Sequence, residues 1–283
     1  NPCPRTRSIV YRGSILRKVS LSFDNFKLLR VLDIWAIDID YCPNIFELVN
    51  LRFLSLSHYR RKSIPPEIGN LRNLETLMLG KNHKIDVPTT VWNLVKLKHL
   101  LISGSYTLPP CSQEFLEKSF KLHSLQSLST PDLAFGEDTE QILRGLCNLR
   151  KLSCRFLYSW DYTSNCIQFP NLDFLTQLES LKVAYRGKAL HKVQSCKFSF
   201  PANVKKLTLS GFCLPWTEIS SIGNLPNLQV LKLLDDAFEG TTWDMNEGEF
   251  LNLSFLKLER LQLLHWNAFE DHLPSLKTLV LVN

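Results

Sequence analysis

The sequence predicts an α/β repeat solenoid. Its concave side is a parallel β-sheet of about twelve short strands, and its convex side carries irregular loops or short helices. Three observations carry this. The stretch SIPPEIGNLRNLETLMLG (63–80) spaces its apolar residues by threes and then by two. Its ending returns along the whole chain at intervals typical of repeat arrays. Hydrophobic residues make up 45% of the 283 positions, enough for a sizeable core, while glycine is held to 11.

Each step of three turns a helix by about 300°. Ile68, Leu71, Leu74 and Leu77 would therefore drift around a helix instead of sharing one face. The closing Leu77-x-Leu79 step has the period of a strand, with both side chains on one side. Pro65-Pro66 suits an extended or turn segment and breaks a helix interior. The stretch reads as a loop with inward apolar residues followed by a short strand.

The strands follow in order. A weak copy, SIVY (8–11), comes first. LRVLDI (29–34), LRFLSL (51–56), LETLML (74–79), LKHLLI (97–102) and LQSLST (125–130) come next. LRKLSC (149–154), LESLKV (178–183), VKKLTL (204–209), LQVLKL (228–233), LERLQL (258–263) and LKTLVL (276–281) complete the set. Early copies are about 22 or 23 residues apart, later ones stretch to about 28–30, and the last step is about 18. This is the leucine-rich repeat. One copy cannot bury its leucines alone, and stacking seals them at about 1.5–3 kcal/mol for each fully buried side chain. The asparagine that usually follows the strand is mostly replaced, with Asn82 in place but Tyr59, Ser105, Phe212 and Asp236 elsewhere. The turns are therefore expected to be irregular. Segments 156–169 and 234–250 read as long insertions, the second an acidic loop that is solvated or covers the concave face. The repeats fill 1–283 as one domain.

Net charge is +6, and the densest basic cluster is only Arg60-Arg61-Lys62, so nucleic acid is not an expected partner. Eight cysteines are scattered without C-x-x-C or zinc spacing, which predicts no metal and a reducing compartment. Cys154 stands at an inward strand position and is expected to be a buried thiol. One sequon, Asn252-Leu253-Ser254, is present, and no run of eighteen apolar residues occurs. The first residue is Asn, and the last repeat lacks a cap, so a piece cut from a longer chain is expected. No phosphate-cradling loop, G-x-S-x-G elbow or H-E-x-x-H is found, and seven histidines are dispersed. The chain is not expected to be an enzyme.

Binding is expected on the concave face, where the x residues of L-x-L point away from the core. Early copies offer a mixed, partly aromatic surface around Trp35 and Phe53. Later copies are basic, with Lys151, Arg155, Lys182, Lys206, Lys232 and Arg260 and no acid among the x positions. These eight are the candidate partner-binding residues, the basic half docking an acidic protein surface.

SIPPEIGNLRNLETLMLG followed by VPTTVWNLVKLKHLLI resembles the repeats of plant nucleotide-binding, leucine-rich-repeat (NLR) immune receptors. Residues 225–281 add AFEG-x-x-W, a Glu/Gly-rich turn, HW and LPSLKTLVL, an order similar to the coiled-coil, late-blight-resistance-like class. The start, NPCPRTRSIVYRG, is similar to the beginning of that repeat domain. The resemblance implies a cytoplasmic sensor and autoinhibitory domain, membrane-associated only through its parent protein. Its partners would be the parent's nucleotide-binding module and a pathogen effector or guarded host protein. ADP or ATP would bind that module and no cofactor would bind here, since the phosphate loop is absent from these residues. Two other readings fit the repeats: an extracellular receptor ectodomain and a cytosolic scaffold protein.

Overall fold

The computed structural model describes residues 5–11, 22–34, 43–56, 62–80, 84–108, 122–133, 137–157, 171–186, 199–269 and 271–283. They fall in two compact units, 1–132 and 133–283. Both are built from the predicted repeat.

The first unit carries β1 (Ser8–Tyr11), β2 (Val31–Ile34), β3 (Phe53–Leu56), β4 (Thr76–Leu79), β5 (Ile85–Asp86), β6 (His99–Thr107) and β7 (Ser127–Leu133). The parallel order is β1-β2-β3-β4-β6-β7, with β5 paired to β6. Register is strict: Leu32, Leu54, Leu77, Leu100 and Leu128 are aligned across successive strands, and all are buried. The stretch 63–80 folds as its spacing predicts. Pro65 extends the chain, Pro66–Asn70 closes a 3-10 turn, and Ile64, Ile68, Leu71, Leu74, Leu77 and Leu79 are all buried. Similar 3-10 turns stand at Pro43–Glu47 and Thr89–Asn93.

The second unit carries β8 (Lys151–Leu157), β9 (Ser180–Arg186), β10 (Lys206–Ser210), β11 (Leu214–Pro215), β12 (Val230–Leu234), β13 (Phe238–Glu239), β14 (Thr242–Asp244), β15 (Phe255–Glu259), β16 (His265–Asn267) and β17 (Thr278–Val282). β8-β9-β10-β12-β15-β17 form the parallel sheet, so the described residues of the two units hold twelve such strands. β11 pairs with β13, and β14 with β16, as shorter parallel ladders. Among the described residues two short helices, α1 (Glu137–Arg144) and α2 (Ser220–Gly223), join the strands.

Two hydrogen-bond ladders set the climb from copy to copy. From strand to strand within each unit, two consecutive N–H groups donate to one carbonyl of the copy before. Glu75 and Thr76 share Arg52 O, and Lys98 and His99 share Glu75 O. In the second unit Lys205 and Lys206 share Glu179 O, and Gln229 and Val230 share Lys205 O. The other ladder is of asparagines, standing ahead of the strand and not in the turn after it. Each precedes the first leucine of its copy and donates back one repeat. Asn50 Nδ2 bonds Lys27 O at 2.8 Å, Asn73 bonds Val49 O at 3.0 Å, Asn227 bonds Ala202 O at 2.9 Å and Asn252 bonds Pro226 O at 2.8 Å. Asn203 makes the same bond to Thr176 O. The turns after the strands, lacking asparagine, use left-handed residues instead. Gly211, Cys213, Asp235, Asp236 and Arg260 all have positive φ. Their N–H groups bond backbone carbonyls one copy on, as in Gly211 to Asp235 O and Asp236 to Arg260 O. Gly211 is confined to glycine twice over, by φ +77° and by a Cβ that would lie 2.5 Å from Tyr185 O.

Two expectations are corrected. The copy read as LERLQL (258–263) is displaced by five residues. β15 is Phe255–Glu259, with Leu256 aligned on Leu231 and Leu258 on Leu233, so the copy is LSFLKL (253–258). With Leu258 as the strand end, the spacing on either side becomes even, and the short last step disappears. The segment 234–250 is no solvated insertion either. Its Ala237, Phe238, Trp243, Met245 and Phe250 are buried, and β13 and β14 pair with β11 and β16. The sequence hid this because its acids stand between the apolar residues. Asp235 pairs with Arg260, Asp244 accepts from Asn267 Nδ2 at 2.6 Å, and buried Glu249 accepts from Asn246 Nδ2 at 2.9 Å. Most of 156–169 lies outside the described residues.

Candidate functional site

Along each strand the inward residues are sealed in the core and the alternate residues stand on the open face. On β8, β9 and β10 the open residues are Lys151, Ser153, Arg155, then Ser180, Lys182, Ala184, Arg186, then Lys206, Thr208, Ser210. Lys182 lies between Ser153 and Thr208, while Ser180 lies between Lys151 and Lys206. With strands about 4.8 Å apart, the lysines stand staggered, one on every second position. Lys151, Lys182, Arg186 and Lys206 are exposed, and none has an ion pair to a described residue. Arg155 is half-buried. The open positions of these three strands hold five cations and no carboxylate.

Arg186 escaped the sequence reading, which stopped that strand at Val183. The signal was available: the alternation continues through Ala184 and buried Tyr185 to Arg186.

The basic character does not extend evenly to β12 and β15. Lys232 Nζ lies over the Phe255 ring, 5.6 Å from its centroid. Its neighbour across the sheet is Lys257, which the shifted copy brings to the open face in place of Arg260. Lys257 Nζ pairs with Glu259 Oε2 at 2.5 Å. So the face of β15 does carry an acid, and its charge is internally matched. Arg260 is corrected in the same way. It is not an open-face strand residue but the left-handed residue after β15, bonded through Nε to Asp235 Oδ1 at 2.5 Å and through Nη1 to Glu259 at 3.2 Å.

In the first unit, Val31, Phe53, Thr76 and His99 form one column of the open face. Phe53 is half-buried there. The next column includes Asp33 and Ser55, both buried, then Met78 and Leu101. Trp35 lies outside the described residues. Beside this face Glu75 bridges Arg52 at 3.6 Å and Lys98 at 2.8 Å. The hydrogen bond from Lys98 is the main reason its carboxyl titrates below the usual value. Desolvation opposes this, and the charges of Lys98, Arg52 and Lys96 add to it.

Cys154 is buried as expected, and burial pushes its thiol up to about 12. Among the described residues no group of three or more His, Cys, Asp or Glu is placed to hold a metal, and no helix is long and apolar enough to cross a membrane.

Comparison with known proteins agrees with this architecture. The family described as "Leucine-rich repeat region" matches residues 5–218. Among curated relatives, the late blight resistance protein homolog R1B-13 of Solanum demissum is 40% identical over 272 residues, 93% of this chain and 22% of that protein. Late blight resistance protein R1-A of the same species is 38% identical over 274 residues, 93% of this chain and 20% of that protein. The chain thus spans about a fifth of the length of these relatives. Among solved structures, the functional domain of InlJ from Listeria monocytogenes has a TM-score of 0.59 at 14% identity, covering 99% of this chain and 59% of that one. A leucine-rich-repeat protein of Leptospira interrogans has a TM-score of 0.57 at 21% identity, covering 90% and 61%. These two share the fold. The chain belongs to the leucine-rich-repeat family, and over nearly its whole length it is similar to plant late blight resistance proteins.

Proposed function

We propose that this chain is the protein-interaction, sensor and autoinhibitory region of an intracellular plant disease-resistance receptor. Its basic strand face would dock an acidic surface of the receptor's own nucleotide-binding module, or of a pathogen effector or guarded host protein. The observation that carries this is the patch on β8–β10, where Lys151, Lys182, Arg186 and Lys206 stand exposed with no carboxylate among the open positions. Such a patch steers encounter with an acidic partner and suppresses basic ones. Holding nucleotide would fall to the neighbouring module, and this region would act by binding without catalysis.

The sequon supports the cytoplasmic reading over an extracellular ectodomain. Asn252 Nδ2, the atom a glycan would occupy, donates into the asparagine ladder, and the following Leu253 is fully buried. A glycan there would have to be accommodated at the contact between two copies.

The test is charge reversal in the parent receptor. Lys151→Glu, Lys182→Glu and Lys206→Glu together are expected to weaken binding of the nucleotide-binding module and to flatten its dependence on salt. Lys232→Glu alone should do less, because Lys232 is engaged by Phe255. Unchanged affinity and salt slope in the triple variant would refute the docking role.

A further inference from the structure

In the first unit the chain enters its strands through tight turns. Each closes when the N–H of a copy's first leucine donates to the carbonyl three residues back. Leu29 bonds Phe26 O at 2.9 Å, Leu51 bonds Leu48 O at 2.9 Å, Leu74 bonds Leu71 O at 2.8 Å and Leu97 bonds Leu94 O at 2.8 Å. The two central residues of such a turn stand out at the surface. They are Lys27-Leu28, Val49-Asn50, Arg72-Asn73 and Val95-Lys96. The asparagine ladder keeps successive tips in line, since Asn50 reaches Lys27 O and Asn73 reaches Val49 O. Lys96 continues the line, its Nζ donating to Asn73 Oδ1 at 2.8 Å.

Two features meet on this edge. The first is charge. Lys27, Arg72 and Lys96 on the tips are joined by exposed Arg7, Arg30 and Arg52, whose carbonyls carry the strand-to-strand bonds. Glu75 engages Arg52 and Lys98, and leaves the other five cations without an ion pair to a described residue. Glu47 also borders the edge, at the rim of an open cavity of about 520 Å³ beside Val49 and Arg72. The second feature is bare aliphatic surface. Leu28 is 48%, Val49 51% and Val95 39% exposed. Of the exposed large apolar residues described in this unit, only Val10 stands elsewhere, on the open face of β1. The corresponding turns described in the second unit, such as Ala202-Asn203, Pro226-Asn227 and Leu251-Asn252, carry no charged residue at either central position. The repeat itself therefore does not demand this combination.

We propose that this edge of the first unit docks on an anionic lipid bilayer. Leu28, Val49 and Val95 enter the headgroup layer, and Lys27, Arg30, Arg72 and Lys96 meet the lipid phosphates. Aliphatic side chains flanked by cations suit a membrane interface, where buried apolar area and attraction to anionic lipid add. Shape selects the bilayer over other anionic partners. Four tips in a row, stepped with the strands, span about 14 Å. A plane touches such a row along its length. An acidic protein would need a groove to receive the tips and about 800 Å² of contact on its side. A single-stranded nucleic acid would be served by aromatic rings for stacking, where this edge offers valines and a leucine. The resemblance to resistance receptors leaves membrane contact to the parent protein, whereas this edge gives these residues a contact of their own. The inference does not depend on the basic face of β8–β10.

The experiment is cosedimentation of the chain with vesicles of equimolar phosphatidylserine and phosphatidylcholine, and with vesicles of phosphatidylcholine alone. Binding is expected to the first and not to the second, and is expected to weaken as salt rises. Lys27→Gln, Arg72→Gln and Lys96→Gln together should lower the partition about a hundred-fold, since each cation near an anionic surface is worth about five-fold. Leu28→Ser, Val49→Ser and Val95→Ser together should lower it about ten-fold and leave the salt slope as it was. All six positions are exposed, so both variants should keep the circular dichroism of the parent chain. Lys151→Gln, Lys182→Gln and Lys206→Gln, on the open face, should leave the partition within about two-fold, which separates this edge from the docking role proposed above. No binding to the anionic vesicles would overturn the proposal. So would full binding by the aliphatic variant, which would reduce the edge to charge alone, or a loss in the open-face variant equal to that in the edge variant.

Discussion

Trp243 meets three other aromatic rings, and its truncation has a calculable cost. The indole is fully buried, stacked on Trp216 at 4.9 Å and Trp266 at 5.3 Å, and met edge-on by Phe250 at 6.0 Å. Trp243→Ala removes a large buried side chain, at about 3–5 kcal/mol. Each lost ring pair is worth about 0.5–1.5 kcal/mol beyond its area, which places the substitution at the upper end of that range. Trp243→Phe keeps a ring in the stack and removes an indole N–H that is buried without an acceptor. Its cost should stay below about 2 kcal/mol, since deleting an unsatisfied donor offsets part of the lost contact. Urea unfolding followed by circular dichroism measures the ordering of the two variants. Native-state hydrogen exchange measures the reach, because neighbouring copies share their stability. Exchange should quicken in β13, β14 and β16 together. A shift below about 1 kcal/mol for Trp243→Ala, or an effect confined to 242–244, would show that the stack is incidental to stability.

Other outcomes follow from the same geometry. Asn227→Ala should cost about 1 kcal/mol in urea unfolding, because it leaves Ala202 O without the donor that binds it at 2.9 Å. The conservative Asn227→Asp should not restore it, since a carboxylate cannot donate. Cys154 should resist iodoacetamide at pH 8.5 in the folded chain while exposed Cys147 is alkylated, as read by peptide mass mapping, and both should react in urea. Glu75 should titrate below 4.5 by carbon-detected NMR, and Lys98→Met should raise its midpoint. The folded carboxyl is the stronger acid, so its contribution to stability is present above the unfolded pKa. It is lost as pH falls from about 4.5 through the folded value.

Most of the strands could be read from the sequence because L-x-L leaves one orientation open to each residue. The exception at 253–263 is instructive. LSFLKL and LERLQL share Leu258, and both satisfy the spacing. Pattern alone cannot choose between them. The chain chooses by two contacts made a full repeat away: Asn252 reaches Pro226 O, and Trp266 stacks on Trp243. Only LSFLKL follows an asparagine, so the residue before the first leucine carried the answer. The basic face was legible in kind and not in extent. Lys182 and Lys206 follow from alternation, whereas the engagement of Lys232 by Phe255 and of Lys257 by Glu259 depends on which strands are adjacent. The folding of 234–250 was hidden because charged residues interrupt its apolar ones, and the partners of those charges lie in other copies.

The shared carbonyls at each step have a bearing on how such a chain can change. The frame is held by main-chain groups, by inward leucines and by asparagines beside them. None of these is an open-face side chain. A substitution at Lys182, Ser180 or Thr208 thus alters what the face presents at a cost usually within about 0.5 kcal/mol, while a change at Leu181 or Leu207 removes about 2–5 kcal/mol. Written along one chain are two scripts at alternate positions, one almost fixed by folding and one nearly free of it. The free script can be rewritten residue by residue, and the protein keeps its shape while the surface it presents changes.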